Sequence, residues 1–242
     1  MRICAAQTKP TTGDIQSNIE NHLSFIETAV SHGSDAIFFS ELSLTGYEPT
    51  LAKKLATTPD DRRLSAFQEV SDKLKVTIGV GLPTMNGKGA SISMILIQPN
   101  QLRLVYSKGY LHPDEDEFFI PGKNFPSLVV NDKSIGLAIC YELSVPEHSS
   151  AAHESGAEIY VASVAKFAKG VENALKTLSG IAARYSMPAI MINAIGPADN
   201  GVCTGNSSVW DNEGRLIGQL DSNHEGILIY DTQSGSIVTK VF

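Results

Sequence analysis

At 242 residues the chain is long enough to bury a substantial core, and its 42% hydrophobic and 19% charged residues are typical of a globular protein rather than a disordered one. Its formal charge of −7 arises from 26 acidic and 19 basic residues spread along the chain, which argues against nucleic acid as a partner. The N-terminal apolar run is too short for a signal peptide, and no later run approaches the roughly 20 apolar residues that span a bilayer, so we expect a cytoplasmic protein without a membrane partner.

The cysteines and histidines give no sign of a disulfide framework or a metal site. Cys4, Cys140 and Cys203 are odd in number and widely spaced, which favours free thiols in a reducing compartment. The sequence contains no CxxC or HExxH spacing, and its six histidines are scattered. We therefore expect neither a metal nor another cofactor.

The first half of the chain alternates strand-like runs with helical periodicity. Asp14 is expected to cap a helix whose apolar residues recur every three to four positions as far as Gly33. The run over 36–40 is apolar almost throughout, which is typical of a strand covered on both faces, and Glu41 follows it. A second helix is predicted over 60–75. The predicted strands of this half are 3–7, 36–40, 77–82, 91–97 and 102–106, the last two joined as a hairpin through Pro99 and Asn100.

The second half begins with a strand pair, 128–130 and 135–139, which turns through 131–133 and ends at Cys140. The elements predicted after it are a helix from Pro146, a strand over 158–163, a helix over 170–185, and strands over 189–193, 207–210, 216–220 and 226–230. Strands broken by helices in some places and by hairpins in others indicate a mixed sheet or sheet pair with helices outside. We find no linker, so we expect a single α/β domain over 1–242.

Three side chains with complementary chemistry follow strand-like runs directly or within two residues. These are Glu41, Lys108 and Cys140, at the ends of strands where open α/β sheets commonly bind ligands. Each alone has an ordinary interpretation: a solvated acid, a surface lysine and an inert buried cysteine. Together they supply a base, a cation for a developing oxyanion and a nucleophile, which is what amide cleavage needs.

Cys140 lies where an apolar strand gives way to polar residues and then to Pro146 at the start of a helix. Such a turn exposes a nucleophile and leaves the backbone N–H of Tyr141 free to bind an oxyanion. Cys4 and Cys203 have no such context, and we expect them to be inert thiols.

The segments around these three residues resemble the motifs of the nitrilase superfamily, also called the carbon–nitrogen hydrolases. The matching segments are Phe-Phe-Ser-Glu-Leu-Ser-Leu-Thr-Gly-Tyr over 38–47, Tyr-Ser-Lys-Gly-Tyr-Leu over 106–111 continuing to Phe-Phe-Ile-Pro-Gly over 118–122, and Ile-Cys-Tyr-Glu-Leu over 139–143. Weaker similarity extends from 5–7 to Gly214 and so covers nearly the whole chain. The resemblance implies an α-β-β-α sandwich, with two mixed β-sheets and helices on the outer faces.

The resemblance also implies roles for individual residues. Glu41 would be the general base, Cys140 would attack the carbonyl or nitrile carbon, and Lys108 with the Tyr141 N–H would stabilise the tetrahedral intermediate. Many members carry a second glutamate after the lysine, and the acidic run over 114–117 offers Glu115, which we prefer, or Glu117. The resemblance implies a homodimer too, although this chain ends at Phe242, short of the tails with which many relatives reach across the dimer.

The substrate cannot be chosen from the sequence, because selectivity depends on the loops around Tyr47, His112 and 164–169. Tyr47 is either a substrate contact or a core or lid aromatic, and His112 is either a substrate contact or a capping or surface histidine. Lys166 either meets a substrate carboxylate or faces solvent. Arg184 lies where many relatives have an Arg-Ala-x-Glu-Asn segment that this chain lacks, and we assign it no role.

Our main functional hypothesis is a hydrolase that uses a Cys thioester to cleave a small amide, ω-amide or N-carbamoyl compound with water. A nitrile hydrolase is the near alternative. A binding or redox-sensing relative that keeps a reactive thiol without turnover is the alternative from another class, although such a protein does not need both Glu41 and Lys108. We do not favour a glutaminase module that feeds a synthetase, because the sequence shows no second domain to receive ammonia.

Overall fold

The computed structural model describes residues 1–122 and 128–242 and contains two stacked β-sheets between outer layers of helices. This α-β-β-α sandwich with mixed sheets confirms the predicted fold class. The strands are β1 (Arg2–Gln7), β2 (Ala36–Phe39), β3 (Thr77–Asn86), β4 (Gly89–Ile97), β5 (Leu104–Ser107), β6 (Leu128–Val130), β7 (Lys133–Ile139), β8 (Ile159–Val164), β9 (Ala189–Asn193), β10 (Ile195–Ala198), β11 (Gly201–Thr204), β12 (Ser208–Trp210), β13 (Leu216–Gln219), β14 (Gly226–Asp231) and β15 (Ile237–Val241). The helices are α1 (Ile15–Ser31), α2 (Ala52–Leu55), α3 (Ser65–Leu74), α4 (Pro146–Glu154) and α5 (Ala168–Tyr185), with 3₁₀ turns at Pro49–Leu51, Arg62–Leu64 and Cys140–Ser144.

The two sheets have related plans. The first has seven strands in the order β15-β14-β1-β2-β3-β4-β5, and the second has six in the order β13-β12-β9-β8-β7-β6. Each is parallel at its centre, in the pairs β1–β2, β2–β3, β7–β8 and β8–β9, and antiparallel towards its edges. A small hairpin, β10–β11, stands apart from both sheets.

The core has three apolar layers, because the central strands are covered on both faces. The middle layer lies between the sheets and includes Phe38, Met94, Leu137 and Ile190. One outer layer packs α1 and α3 against the first sheet, and the other packs α4 and α5 against the second. Runs such as β2, in which all four residues are buried, are therefore apolar without alternation.

Most predicted elements lie within a few residues of their observed bounds. Asp14 caps α1 through a hydrogen bond that its carboxylate accepts from the Ser17 N–H at 3.0 Å, and Gly33, at φ +78°, follows the helix end as expected. The predicted helix over 60–75 is in fact a 3₁₀ turn followed by α3. The strand predicted over 77–82 extends to Asn86 because it pairs along its length with β4.

Sequence analysis missed α2, β10, β11 and β15. The strands β10 and β11 contain Gly196, Pro197 and Gly201, which indicate a loop when only local sequence is considered. The strand β15 lies at a sheet edge and is largely exposed, so it lacks the continuous apolar character of the central strands. No helix in the two described ranges is long and apolar enough to cross a membrane.

Candidate active site

Three strand ends bring Glu41, Lys108 and Cys140 to one region. Glu41 follows β2 and Lys108 follows β5, both in the first sheet, while Cys140 follows β7 of the second. Because the sheets are stacked, side chains from both can meet at the same end of the sandwich. The Lys108 ammonium donates to Glu41, 67 residues away in sequence, and Cys140 contributes to the pKa of both residues.

The ammonium group of Lys108 lies between two carboxylates. Its Nζ is 2.8 Å from Glu41 Oε1 and 2.7 Å from Glu115 Oε1, and the lysine side chain is fully buried. Burial alone would lower the pKa of this lysine, but its interactions with Glu41, Cys140 and Glu115 raise it above its ordinary value. The site therefore holds a permanent cation in an interior where its charge acts strongly.

Both carboxylate oxygens of Glu115 are hydrogen-bonded, and one of them binds Lys108. Its Oε1 also accepts a hydrogen bond from the Tyr47 hydroxyl at 2.8 Å, and its Oε2 accepts one from the His112 backbone N–H at 2.8 Å. Glu117, the other glutamate considered in the acidic run, is exposed. Tyr47 thus contacts the glutamate directly, and the side chain of His112 is about half exposed.

Glu41 has one oxygen that is not engaged. Its Oε2 is buried and has no hydrogen-bond partner among the described residues. Burial raises the pKa of Glu41, while the charge and hydrogen bond of Lys108 and the nearby Cys140 thiol act in the opposite direction. A buried carboxylate with a spare oxygen and a raised pKa beside a thiol has the properties of a general base.

Cys140 begins a 3₁₀ turn in a strained backbone conformation. Its φ of +46° lies in the left-handed region that a non-glycine residue seldom adopts, and its side chain is half-buried. Burial and the charge of Glu41 raise the pKa of the thiol to about 11, with Lys166 and Lys108 opposing the shift. The thiol is thus protonated at neutral pH and needs a base. The N–H of Tyr141 belongs to the first turn of the 3₁₀ helix, where N–H groups have no partner within the helix.

The other two thiols lie in different surroundings. Cys4 and Cys203 are both buried, and burial raises the pKa of each, to about 12 for Cys203. Such thiols are poor nucleophiles because little thiolate forms.

Two glycines allow the close backbone packing that fixes Glu41 and Lys108. A Cβ at Gly81 would lie 2.5 Å from the Ser40 carbonyl oxygen, next to Glu41. A Cβ at Gly122 would lie 2.3 Å from the carbonyl oxygen of Ser107, and the Gly122 N–H donates to the Lys108 carbonyl at 2.7 Å. Any larger residue at either position must displace a segment that carries a charged side chain.

A cavity of about 390 Å³ opens beside these groups. Its lining includes Tyr47, Glu115, Cys140, Tyr141, Lys166 and Asp199. The volume suits a small organic molecule. Among the described residues, no group of three His, Cys, Asp or Glu side chains could hold a metal ion.

Lys166 enters this cavity from a segment that is fixed by a buried asparagine. The Asn193 Oδ1 accepts from the Lys166 N–H at 2.8 Å, and its Nδ2 donates to the carbonyls of Lys166 at 3.0 Å and Gly205 at 2.8 Å. Asn193 is fully buried, so this clamp is rigid. Asn193 was not predicted to have a role; its position at the end of the apolar strand β9 is the signal that would have suggested one.

A second buried polar cluster lies next to the site and was not predicted. It consists of Tyr106, Glu142, His148 and Tyr160, and we call it the tyrosine cluster. Sequence analysis named Glu142 only as part of a motif. The signal that could have identified it is its place two residues after Cys140, in a turn between two apolar segments.

Comparisons with known proteins identify the family of this chain. A family model described as carbon-nitrogen hydrolase matches residues 2–239. An (R)-stereoselective amidase from Pseudomonas sp. is 26% identical over 221 residues, which cover 90% of this chain and 80% of that protein. A glutamine-dependent NAD(+) synthetase from Thermotoga maritima is 27% identical over 241 residues, which cover 96% of this chain but only 42% of the synthetase.

Among solved structures, an amidase of the nitrilase superfamily from Nesterenkonia AN1 has the same fold. Its TM-score is 0.86 at 23% identity, with 97% of this chain and 91% of that chain covered. A variant of the amidase from this organism carries the acetamide moiety of fluoroacetamide added covalently at its active-site cysteine. At this level of identity the likeness establishes the fold.

Proposed function

This chain belongs to the carbon-nitrogen hydrolase family and is an enzyme that acts on carbon–nitrogen bonds other than peptide bonds, and from that premise we propose that it hydrolyses a small amide through a thioester on Cys140. One observation carries the proposal. The Lys108 ammonium is held between two buried carboxylates, beside a thiol that opens into a cavity of small-molecule size.

In the proposed reaction Glu41 is the general base. Its free Oε2 takes the proton of the Cys140 thiol, whose raised pKa makes such a base necessary at neutral pH. The sulfur then attacks the amide carbon, and the negative charge moves to the carbonyl oxygen. The Lys108 ammonium and the Tyr141 N–H stabilise this oxyanion.

Collapse of the tetrahedral intermediate breaks the carbon–nitrogen bond. Glu41 returns its proton to the leaving nitrogen, and ammonia departs while the acyl group stays on sulfur. Glu41 then takes a proton from water, whose oxygen attacks the thioester. Collapse of this second intermediate breaks the carbon–sulfur bond, Glu41 returns the proton to the sulfur, and the carboxylic acid leaves. Glu115 and Tyr47 position Lys108 throughout.

Ammonia release from a panel of small amides tests this proposal. We expect wild-type protein and a Cys203→Ala variant to release ammonia, and a Cys140→Ala variant to lose at least about 1,000-fold of that activity because the substitution removes the sulfur that attacks the amide. Turnover that survives in Cys140→Ala would exclude the mechanism. Rapid alkylation of Cys140 in wild-type protein that turns over no amide would favour a thiol sensor instead.

We further propose that the preferred amide carries a carboxylate at its far end, as an ω-amide does. Lys166 supports this, because it is a half-buried cation in the lining of the cavity, and none of the ion pairs among the described residues includes it. The Asn193 clamp holds its backbone in place on both sides. A cation on a fixed backbone segment in the pocket of a small-molecule enzyme favours an anionic group on the ligand.

A Lys166→Met variant separates this preference from catalysis. With an ω-amide that carries a carboxylate we expect KM to rise about tenfold or more, since one charge-assisted contact is lost. With the matched neutral amide the same variant should keep KM within about twofold. Lys169→Met, in the same lining but outside the clamp, is the control. Equal effects on both substrates would contradict the preference.

Glutamine hydrolysis is a second candidate, favoured by the similarity to glutamine-dependent NAD(+) synthetases. Glutamine is itself an ω-amide, so it belongs in the same panel. Matched nitrile and amide pairs in that panel would distinguish a nitrile hydrolase. The homodimer and the cytoplasmic location both stay predictions. Light scattering of the purified protein would measure the oligomeric state.

A further inference from the structure

Glu142 is a buried carboxylate to which the proposed reaction gives no role. It lies two residues after Cys140 and is fully buried. Burial of an acid is costly unless its oxygens are hydrogen-bonded, so its partners indicate what the fold gains from it.

The partners of Glu142 are the backbone segments that flank the two proposed catalytic side chains. Its Oε1 accepts from the N–H of Gly109 at 2.6 Å, directly after Lys108. Its Oε2 accepts from the N–H of Ile139 at 2.8 Å, directly before Cys140. One carboxylate thus joins the segment that follows β5 of the first sheet to the end of β7 in the second.

The link matters because no described strand of one sheet pairs with a strand of the other. Lys108 and Cys140 therefore depend on side-chain contacts for their relative position. The left-handed backbone conformation of Cys140 also requires nearby contacts, because such strain persists only where surrounding groups hold the backbone in place. A carboxylate is rigid, and its charge strengthens both hydrogen bonds.

The remaining contacts of Glu142 orient the carboxylate. The Tyr106 hydroxyl donates to Oε2 at 2.6 Å and lies 2.8 Å from His148 Nε2, while His148 Nδ1 lies 2.8 Å from the Tyr160 hydroxyl. These side chains are buried and approach Glu142 from the side of β5, α4 and β8. They act on the carboxylate rather than on the backbone beside Cys140.

We propose that Glu142 is a positioning residue that sets the distance between the Lys108 segment and the Cys140 turn. The inference rests on the proposed function, since it assigns roles to Lys108 and Cys140. Glu142 itself does not touch the reacting atoms.

Glutamine at this position separates positioning from simple space filling. Glu142→Gln has nearly the same shape, but its amide offers one acceptor oxygen and one NH₂ donor. Whichever way the amide turns, the NH₂ group faces the N–H of either Gly109 or Ile139, and one of the two links is lost. Tyr106→Phe is the matched control, because it removes a hydrogen bond to the same carboxylate and leaves both backbone links in place.

The test compares wild type, Glu142→Gln, Glu142→Asp and Tyr106→Phe, each checked for fold by circular dichroism and thermal melting. We expect Glu142→Gln to lose about 100-fold in kcat with KM changed less than about threefold, as for a displaced catalytic group. Glu142→Asp keeps the charge but is one methylene shorter, so it should recover part of this loss. Tyr106→Phe should stay within about fivefold of wild type.

Alkylation of Cys140 by iodoacetamide gives a readout that needs no substrate. The alkylation rate should change at least about tenfold in Glu142→Gln and little in Tyr106→Phe, because the reactivity of a thiol depends on the groups around it. If wild type releases no ammonia from any amide, the proposed function fails while these rates still test the position of Cys140.

Three results would overturn the inference. The first is a folded Glu142→Gln or Glu142→Asp variant with wild-type kcat and alkylation rate. The second is a loss of kcat that follows thermal stability equally in the Glu142 and Tyr106 variants. The third is failure of both Glu142 variants to fold while Tyr106→Phe folds, which would assign Glu142 to stability alone.

Discussion

The two buried polar clusters of this protein lie side by side and differ in how completely their hydrogen bonds are made. We call Glu41, Lys108 and Glu115 the lysine cluster. In it Glu41 Oε2 has no partner among the described residues, and the cluster borders a cavity. In the tyrosine cluster both oxygens of Glu142 are bonded. A spare oxygen beside a thiol suits proton transfer, and a fully bonded carboxylate suits fixing the backbone.

The clusters also differ in charge. The lysine cluster holds a cation between two acids, whereas the tyrosine cluster balances one carboxylate with hydroxyls, backbone N–H groups and a histidine. Burial lowers the pKa of His148 to about 4, so this histidine is neutral at physiological pH. Loss of one partner should therefore cost most in the lysine cluster, where it leaves charge uncompensated.

The largest effect is expected for Lys108→Met, which leaves two buried carboxylates without their cation. We expect a loss of about 3–5 kcal/mol in the free energy of unfolding, together with loss of amide turnover. Urea denaturation measures the first and ammonia release the second. Lys133→Met is the control, since Lys133 forms an ion pair with Glu158 on the surface and its loss should cost less than about 1 kcal/mol. Equal stability losses in the two variants would show that the buried cluster has no special electrostatic role.

The next effect concerns pH and the tyrosine cluster. The folded-state pKa of His148 is about 4 against an ordinary value of 6.5, so the unfolded chain binds this proton first as the pH falls. The free energy of unfolding should therefore fall as the pH is lowered from 6.5 to about 4, by up to roughly 3 kcal/mol from His148. Above pH 6.5 the titration of His148 should not change the stability. Buried His22, whose pKa burial lowers to about 3, acts in the same direction.

A His148→Gln variant isolates the contribution of His148 to the pH dependence of stability. The difference in unfolding free energy between wild type and this variant should shrink as the pH is lowered from 7 to 4, because only wild type has the extra proton to bind when it unfolds. A difference that is constant over this range would mean that His148 does not titrate as a buried neutral group.

The smallest of these effects is expected for Glu115→Gln. Its amide can still accept from Lys108, but the NH₂ group would then face the His112 N–H, so Lys108 should be held less firmly. We expect kcat to fall about 10- to 100-fold, and Glu117→Gln to leave it unchanged because Glu117 is exposed. Equal kcat values for the two variants would remove Glu115 from the site.

The sequence predicts where the central strands end, but it does not predict which side chains meet at those ends. Central strands such as β2 and β7 are apolar enough to be predicted, and Glu41 and Cys140 stand where the apolar runs stop. The motifs, rather than the spacing, supplied the chemical roles. The contact between Lys108 and Glu41 depends on the order of strands in the first sheet, where β3 and β4 lie between β2 and β5. Local sequence does not encode that order.

Other features depend on tertiary contacts alone. In the acidic run over 114–117, the choice between Glu115 and Glu117 follows from the turn that brings the His112 N–H onto one carboxylate. The burial of Glu142 depends on strands from both sheets, and a glutamate after a cysteine otherwise resembles a solvated residue.

The most direct test of the account is a search for an acyl group on Cys140 during turnover. Wild-type protein is mixed with an amide that it hydrolyses, quenched in acid within the first turnovers, and mapped by mass spectrometry. The account predicts an added acyl mass on the peptide that contains Cys140, and none on those with Cys4 or Cys203. Ammonia release with an unmodified Cys140 at every time point, or an acyl group on another thiol, would contradict it.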